Sequence, residues 1–184
     1  MTQTPEHGLY PGTWQIDPAH SMVGFTVRHM MVSKVRGRFD KFDAVLTVPE
    51  DPLASSVRAT IDPASVNTDN EQRDNHMRSA DFFEVEAYPE WTFVSTGVRP
   101  SGEEFLLAGD LTIKGTTQPV ELSLEFNGAL QDAFGMQRAG FHAETQINRK
   151  QFGVDIEMPM DGGGVVVGDR INIEIDAEFT LQEG

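Results

Sequence analysis

The sequence predicts an all-β domain of about eight antiparallel strands with one short helix. Apolar and polar residues alternate with a period of two in segment after segment. The 17 Gly and 10 Pro are scattered as turn punctuation and do not gather into low-complexity runs. The length, 184 residues, fits one domain with enough chain to bury a core.

Val23, Phe25 and Val27 share the first apolar phase, and Phe42, Ala44, Leu46 and Val48 the second. Val57, Ala59 and Ile61 make a third set, and Trp91 and Phe93 begin a fourth. Phe105, Leu107, Leu111 and Ile113 form the fifth, with Gly109 between them; Val120, Leu122, Leu124 and Phe126 form the sixth. Ala139, Phe141, Ala143, Thr145 and Ile147 are the seventh. The last is the clearest: Ile171, Ile173, Ile175, Ala177, Phe179 and Leu181 alternate with Asn172, Glu174, Asp176, Glu178 and Thr180. Such a strand belongs to an antiparallel sheet with one wet side. Thr13–Asp17 is a candidate short addition.

Ser101-Gly102 suits a tight connection, Lys114-Gly115-Thr116-Thr117 separates two strands, and Asp161-Gly162-Gly163-Gly164 lies in a longer connection before the final strand. One segment breaks the alternation. Thr68-Asp69-Asn70-Glu71 fits a capping box with Thr68 as N-cap and Glu71 reaching back, and Asn70 to Arg78 then reads as a short helix. Residues 1–11 form a tail and 12–184 one domain, with no internal repeat. Eight amphipathic strands have two solutions, a sandwich or a closed barrel, and alternation alone separates neither these two nor a filled interior from a hollow one. Small residues in the apolar phase (Ala44, Ala59, Gly109, Ala139, Ala143, Ala177) fit a hollow barrel or ordinary large–small packing.

The net charge of -15 repels phosphate backbones and anionic membrane surfaces, so nucleic-acid binding and tight charge-driven membrane binding are disfavoured; solubility is the simplest use of the acidity. The absence of cysteine removes disulfides and thiolate chemistry. No run approaches ~18 apolar residues, so no membrane span is expected. Met1 to Gly12 has neither a basic n-region nor an apolar h-region, and the expected location is cytoplasmic.

None of the five histidines (His7, His20, His29, His76, His142) falls in a metal-ligand spacing, and His142 has the phase of an outward strand residue. The densest cluster of functional-looking groups runs from Asp69 to Phe83. On a helix Asn70, Arg73 and His76 share a face, which either holds a ligand head group at one end of the barrel or forms a hydrogen-bonded corner. Asp74 and His76, two apart, point in different directions, so a direct acid–base dyad is disfavoured. Five of the fourteen basic residues (Arg28, Lys34, Arg36, Arg38, Lys41) lie close together and make either a phosphate-facing patch or a solvated outer face.

Several stretches are similar to the YceI-like family of lipid-binding, lipocalin-like proteins. They are Trp14-Gln15-Ile16-Asp17-Pro18-Ala19-His20-Ser21 with Phe25 and His29-Met30, then Gly37-Arg38-Phe39, then Asn70-Glu71-Gln72-Arg73-Asp74 through His76-Met77-Arg78-Ser79 to Asp81-Phe82-Phe83 and Tyr88-Pro89. Gly109 through Gly115, Asn148-Arg149-Lys150 with Phe152-Gly153, and Val167-Gly168-Asp169 complete the pattern, which runs from about Gly12 to Leu181. Gln151 departs from it, standing where an Asp is expected before the Phe-Gly pair. The resemblance implies an eight-stranded, lipocalin-like barrel, often dimeric, that binds a polyprenyl or quinone-type tail, with no cofactor and no catalytic activity. His20, Arg73, His76 and Asp81 are the candidates for a polar mouth. Phe25, Phe42, Trp91, Phe93, Phe141 and Phe179 are the candidates for the lining. Two competing readings are an enzyme acting on a hydrophobic substrate with His76 or Asp74 as acid/base, and an interaction module with a filled core.

Overall fold

The computed structural model describes residues 7–29, 32–156 and 167–183. The Asp161–Gly164 connection and Met30 lie outside these residues. The strands are β1 (Gly12–Ile16), β2 (Met22–His29), β3 (Ser33–Phe39), β4 (Phe42–Val48), β5 (Ser56–Ile61) and β6 (Val66–Asn67). After helix α1 (Glu71–Arg78) come β7 (Trp91–Ser101), β8 (Glu104–Ile113), β9 (Thr116–Gln131), β10 (Gln137–Asn148) and β11 (Val167–Leu181).

All pairings are antiparallel, and β1 closes the ring by pairing with both β4 and β11. Closure excludes the sandwich. β11 has two partners in succession: Phe179 to Leu181 face β1, and Val167 to Asp176 face β2. Likewise β4 pairs with β5 while β3, just before it, pairs with β6. The six short strands are thus three long ones, each bent once: β1–β2, β3–β4 and β5–β6. With β7 to β11 they make eight staves of an up-and-down barrel. The Thr13–Asp17 stretch is therefore the first half of the stave that carries Phe25, and not a ninth strand.

Two of the bends have a sequence cause. Asp17-Pro18 and Asp62-Pro63 each open a single 3-10 turn: the Asp carboxylate accepts from the backbone N–H two residues on, at Ala19 and Ala64, and the proline sits where no N–H is needed. Asp51-Pro52 builds a third such turn between β4 and β5. The β7–β8 hairpin turns at Gly102 (φ 64°), and the β8–β9 hairpin at Lys114 and Gly115, both with positive φ, the signature of a twist-matched two-residue turn.

The inward faces are the predicted apolar sets. Register shifts between Ser95 and Gly97 and between Gly140 and Phe141 keep them in phase, and a third lies between Val167 and Ile171. The core is divided. Val23, Phe25, Phe39, Val66, Phe82, Phe83, Trp91 and Phe152 pack beneath α1 at one end. Trp14, Leu46, Val48, Ala139 and Phe179 pack along the β1–β4–β11 wall toward the other.

The predicted capping box is corrected. Asn70, not Thr68, caps α1: its Oδ1 accepts from the Arg73 N–H at 3.0 Å. Thr68 is taken by Asp74 instead. The buried Asp74 carboxylate accepts from Thr68 Oγ1 at 2.5 Å and from the Thr68 N–H at 3.0 Å. A charged acceptor inside the fold outcompetes the local cap for that hydroxyl.

Candidate functional site

Inside the staves lies a cavity of about 340 Å³, within the ~300–1,000 Å³ range of ligand pockets. Its walls are apolar on every side: Phe42, Ala44 and Leu46 from β4, Ala59 and Ile61 from β5, Leu107 and Leu111 from β8, Leu122 from β9, Ala143 from β10, Ile175 and Ala177 from β11. The apolar lining follows from the alternation, because a closed sheet turns one complete phase inward. Gly109 shapes one wall: a Cβ there would lie 2.4 Å from the Phe93 ring, so the glycine lets that ring cross over β8.

The two ends differ. At the helix end, Trp91 meets Phe39 and Phe83 with ring centroids 5.1 and 4.7 Å apart, which stops the cavity beneath α1. At the opposite end the lining includes His7, Leu53 and Ser56, all exposed, so the cavity reaches the surface beside the Asp51-Pro52 turn. Among the described residues two buried side-chain polar atoms lack a hydrogen-bond partner, Ser55 Oγ and Trp91 Nε1, and both belong to lining residues, one at each end.

All six predicted lining residues (Phe25, Phe42, Trp91, Phe93, Phe141, Phe179) contribute to the wall. Phe141 bridges Phe126 and Phe179, with centroids at 5.2 and 5.9 Å. The four predicted mouth residues are placed elsewhere and in two groups. Arg73, His76 and Asp81 lie at the helix end, where Arg73 donates to Thr68 Oγ1 and the Thr68 carbonyl, and His76 Nε2 lies 2.9 Å from Asp81 Oδ2. Arg78 ties the same corner to the Asp62-Pro63 turn and to β6 through the Ala64 and Val66 carbonyls. This is the hydrogen-bonded-corner alternative, and Asp74 and His76 turn to separate partners. His20 lies on the outer wall, its Nδ1 2.7 Å from Asp17. There Arg138 joins Asp17, Asp132 and Glu178 at 3.0, 2.6 and 3.1 Å. The hydrogen bond from His20, assisted by Arg138, holds the Asp17 carboxyl below its usual range.

His142 faces outward, as its phase predicts, between Asp176 (2.7 Å) and Glu144 (2.9 Å). Asp176 first and then Glu144 push its pKa up to about 9. His142, Glu144 and Glu174, and separately Asp17, His20 and Glu178, bring ligating atoms within 4.8 Å of one another on the outer wall. Spacing analysis passes over both groups because each takes its third member, Glu174 or Glu178, from β11. Gln151, the departure from the family pattern, is exposed, and its carbonyl accepts from Gln118 Nε2 at 3.3 Å. Sequence reasoning missed the open end: His7, Leu53 and Ser55 sit in a tail and a turn, where no periodicity marks an inward direction, and Ser56 opens β5.

The closed meander and its apolar, one-ended interior define a lipocalin-like barrel built around a cavity. The chain belongs to the YceI-like family, whose domain it matches over residues 14–179. It is 39% identical over 169 residues to a UPF0312 protein of Staphylococcus aureus (strain USA300), covering 91% of this chain and 96% of the relative. The crystal structure of Burkholderia cenocepacia BcnA superposes with a TM-score of 0.74 at 25% identity, covering 89% of this chain and 98% of the other. A polyisoprenoid-binding domain from Saccharophagus degradans implicated in plant cell wall breakdown has a TM-score of 0.70 at 16% identity, covering 92% and 98%. That last likeness is one of fold.

Proposed function

We propose that the protein binds a long isoprenoid chain, of polyprenyl or isoprenoid-quinone type, within the barrel and serves as its carrier, store or chaperone. The observation that carries this is the cavity: apolar along its length, stopped at α1 and open beside the Asp51-Pro52 turn. Each CH₂ moved out of water contributes ~0.8 kcal/mol, so a prenyl tail gains affinity with length. Apolar walls distinguish poorly between tails, and selectivity falls to the few polar groups at the opening. His7, Ser55 and Ser56 are those groups, and the unpartnered Ser55 hydroxyl is suited to a head-group oxygen. Membership of the YceI-like family and the polyisoprenoid-binding domain of like fold support the reading. The reading is of a binding role, and it is supported by Asp74 and His76, the acid/base candidates, being engaged in the corner and away from the cavity lining.

The test is to purify the protein natively, extract it with organic solvent and identify the lipid by mass spectrometry. An isoprenoid in near-stoichiometric amount is expected. A lipid-free extract, together with no saturable binding of the short prenol farnesol, would overturn the reading.

A further inference from the structure

The large apolar side chains exposed on this protein are not evenly spread. Phe134 is 91% exposed and Leu130 64%, and Met136 joins them on the same β9–β10 hairpin. An aromatic ring left in water is unfavourable unless something covers it in use. The backbone of the turn that carries that ring is held in place. Asp132 Oδ1 accepts from the Phe134 and Met136 N–H groups at 2.8 and 3.0 Å, and the Asp132 N–H donates to the Met136 carbonyl at 2.8 Å. Arg138 Nε donates to the other Asp132 oxygen at 2.6 Å.

Two further facts say what covers it. The first is charge. In a chain with 23% charged residues, Asn127 to Gln137 contains one, Asp132, and Arg138 neutralises it. The tip is thus locally neutral on a protein of net charge -15. The second is position. Below the tip, Ala129 packs in the cluster that includes Leu9, and a Cβ on Gly8 would lie 3.2 Å from the Ala129 side chain. His7 and Leu9 line the cavity, so the hairpin rises from its open end.

We infer that the β9–β10 tip is a bilayer contact: Phe134, Leu130 and Met136 enter the interface of a neutral lipid surface and set the cavity opening against it. The inference rests on the isoprenoid reading, because such cargo resides in membranes. A second copy of the chain is a poorer fit. A stable dimer buries ~600–1,000 Å² on each copy, more than three partly exposed side chains on a projecting two-stranded tip supply when even a large aromatic one buries only ~150–250 Å². Insertion through apolar groups also avoids the repulsion that the net charge imposes at anionic lipid. A rival surface lies at the opposite end, where exposed Arg28, Lys34 and Arg36 flank the exposed Val32; its binding would require anionic lipid and fade with salt.

The experiment is co-sedimentation of the full chain with phosphatidylcholine vesicles, with and without added phosphatidylserine, alongside farnesol binding in vesicle-free buffer. Wild type is expected to partition onto phosphatidylcholine with little effect of salt. Leu130→Ser/Phe134→Ser is expected to partition at least about tenfold less, with unchanged farnesol affinity and thermal midpoint, while Phe134→Leu retains most of the binding. Wild type that ignores phosphatidylcholine, or a double variant that binds it equally well, overturns the tip. So does binding that demands phosphatidylserine and is abolished by Arg28→Glu/Lys34→Glu/Arg36→Glu. If wild type binds vesicles through the tip but takes up no farnesol, the tip stands as a lipid contact and the cargo reading fails.

Discussion

The helix end and the open end of this barrel solve opposite problems. At the helix end every buried polar or charged residue recorded among the described residues is found: Thr68, Asp74 and Arg149. Each is satisfied. Asp74 serves Thr68, and Arg149, 5% exposed, donates to the carbonyls of Val154, Val167 and Gly168. At the open end the lining loops are exposed, and a serine hydroxyl has no partner at all. The polar network of the corner holds one arrangement, with the Trp91 Nε1 of the cavity wall standing outside it, whereas the rim hydroxyl leaves a donor for a guest. The contrast is that the corner which looks most like chemistry in the sequence is hydrogen-bonded within itself, whereas the proposed binding end is built from residues that look like ordinary turn.

The sharpest way to break this contrast is Asp74→Ala. It strands the Thr68 hydroxyl and N–H, and a loss of about 3 kcal/mol in urea-unfolding stability is expected; a loss under about 1 would show the corner to be dispensable. Next is the cavity itself. Ala143→Trp points a large ring into the lumen, and farnesol affinity is expected to fall by about a hundredfold or more while the fold persists. Unaltered affinity would place the ligand outside the barrel. A smaller effect comes from His142. Its pKa is raised to about 9 in the folded chain, so its stabilisation is complete below the unfolded value of 6.5 and is lost as pH rises through about 9. The carboxylates around it are solvent-exposed, so screening limits the amount to under about 1 kcal/mol, and His142→Gln is expected to flatten the alkaline slope of stability. The smallest effect on folding is at Ser55→Ala, within about 0.5 kcal/mol because no hydrogen bond is broken, yet it should weaken farnesol more than a matched hydrocarbon.

Much of this was legible because a period of two fixes direction. Once Phe141, Ala143 and Thr145 share a phase, closure makes them lining, and the six predicted aromatic lining residues follow. The bends were also written in the chain: Asp17-Pro18, Asp51-Pro52 and Asp62-Pro63 each pair a capping carboxylate with a proline suited to the first turn. They pass as punctuation because such dipeptides are common between strands. The opening was not legible. Leu53 and Ser55 acquire their role from the staves that end around them, and nothing local distinguishes a turn at a mouth from any other. Thr68 misled for a related reason: a capping residue cannot be recognised as engaged until the buried carboxylate that claims it is in place.

Hollowness also has a mechanical side. A folded chain that encloses empty volume occupies more space than the same chain unravelled in water, so compression favours unravelling. The vacant barrel should therefore yield at a lower hydrostatic pressure than a loaded one, whose interior is already filled. An occupant would act as an internal strut, and the pressure at which the fold gives way would report how full the vessel is.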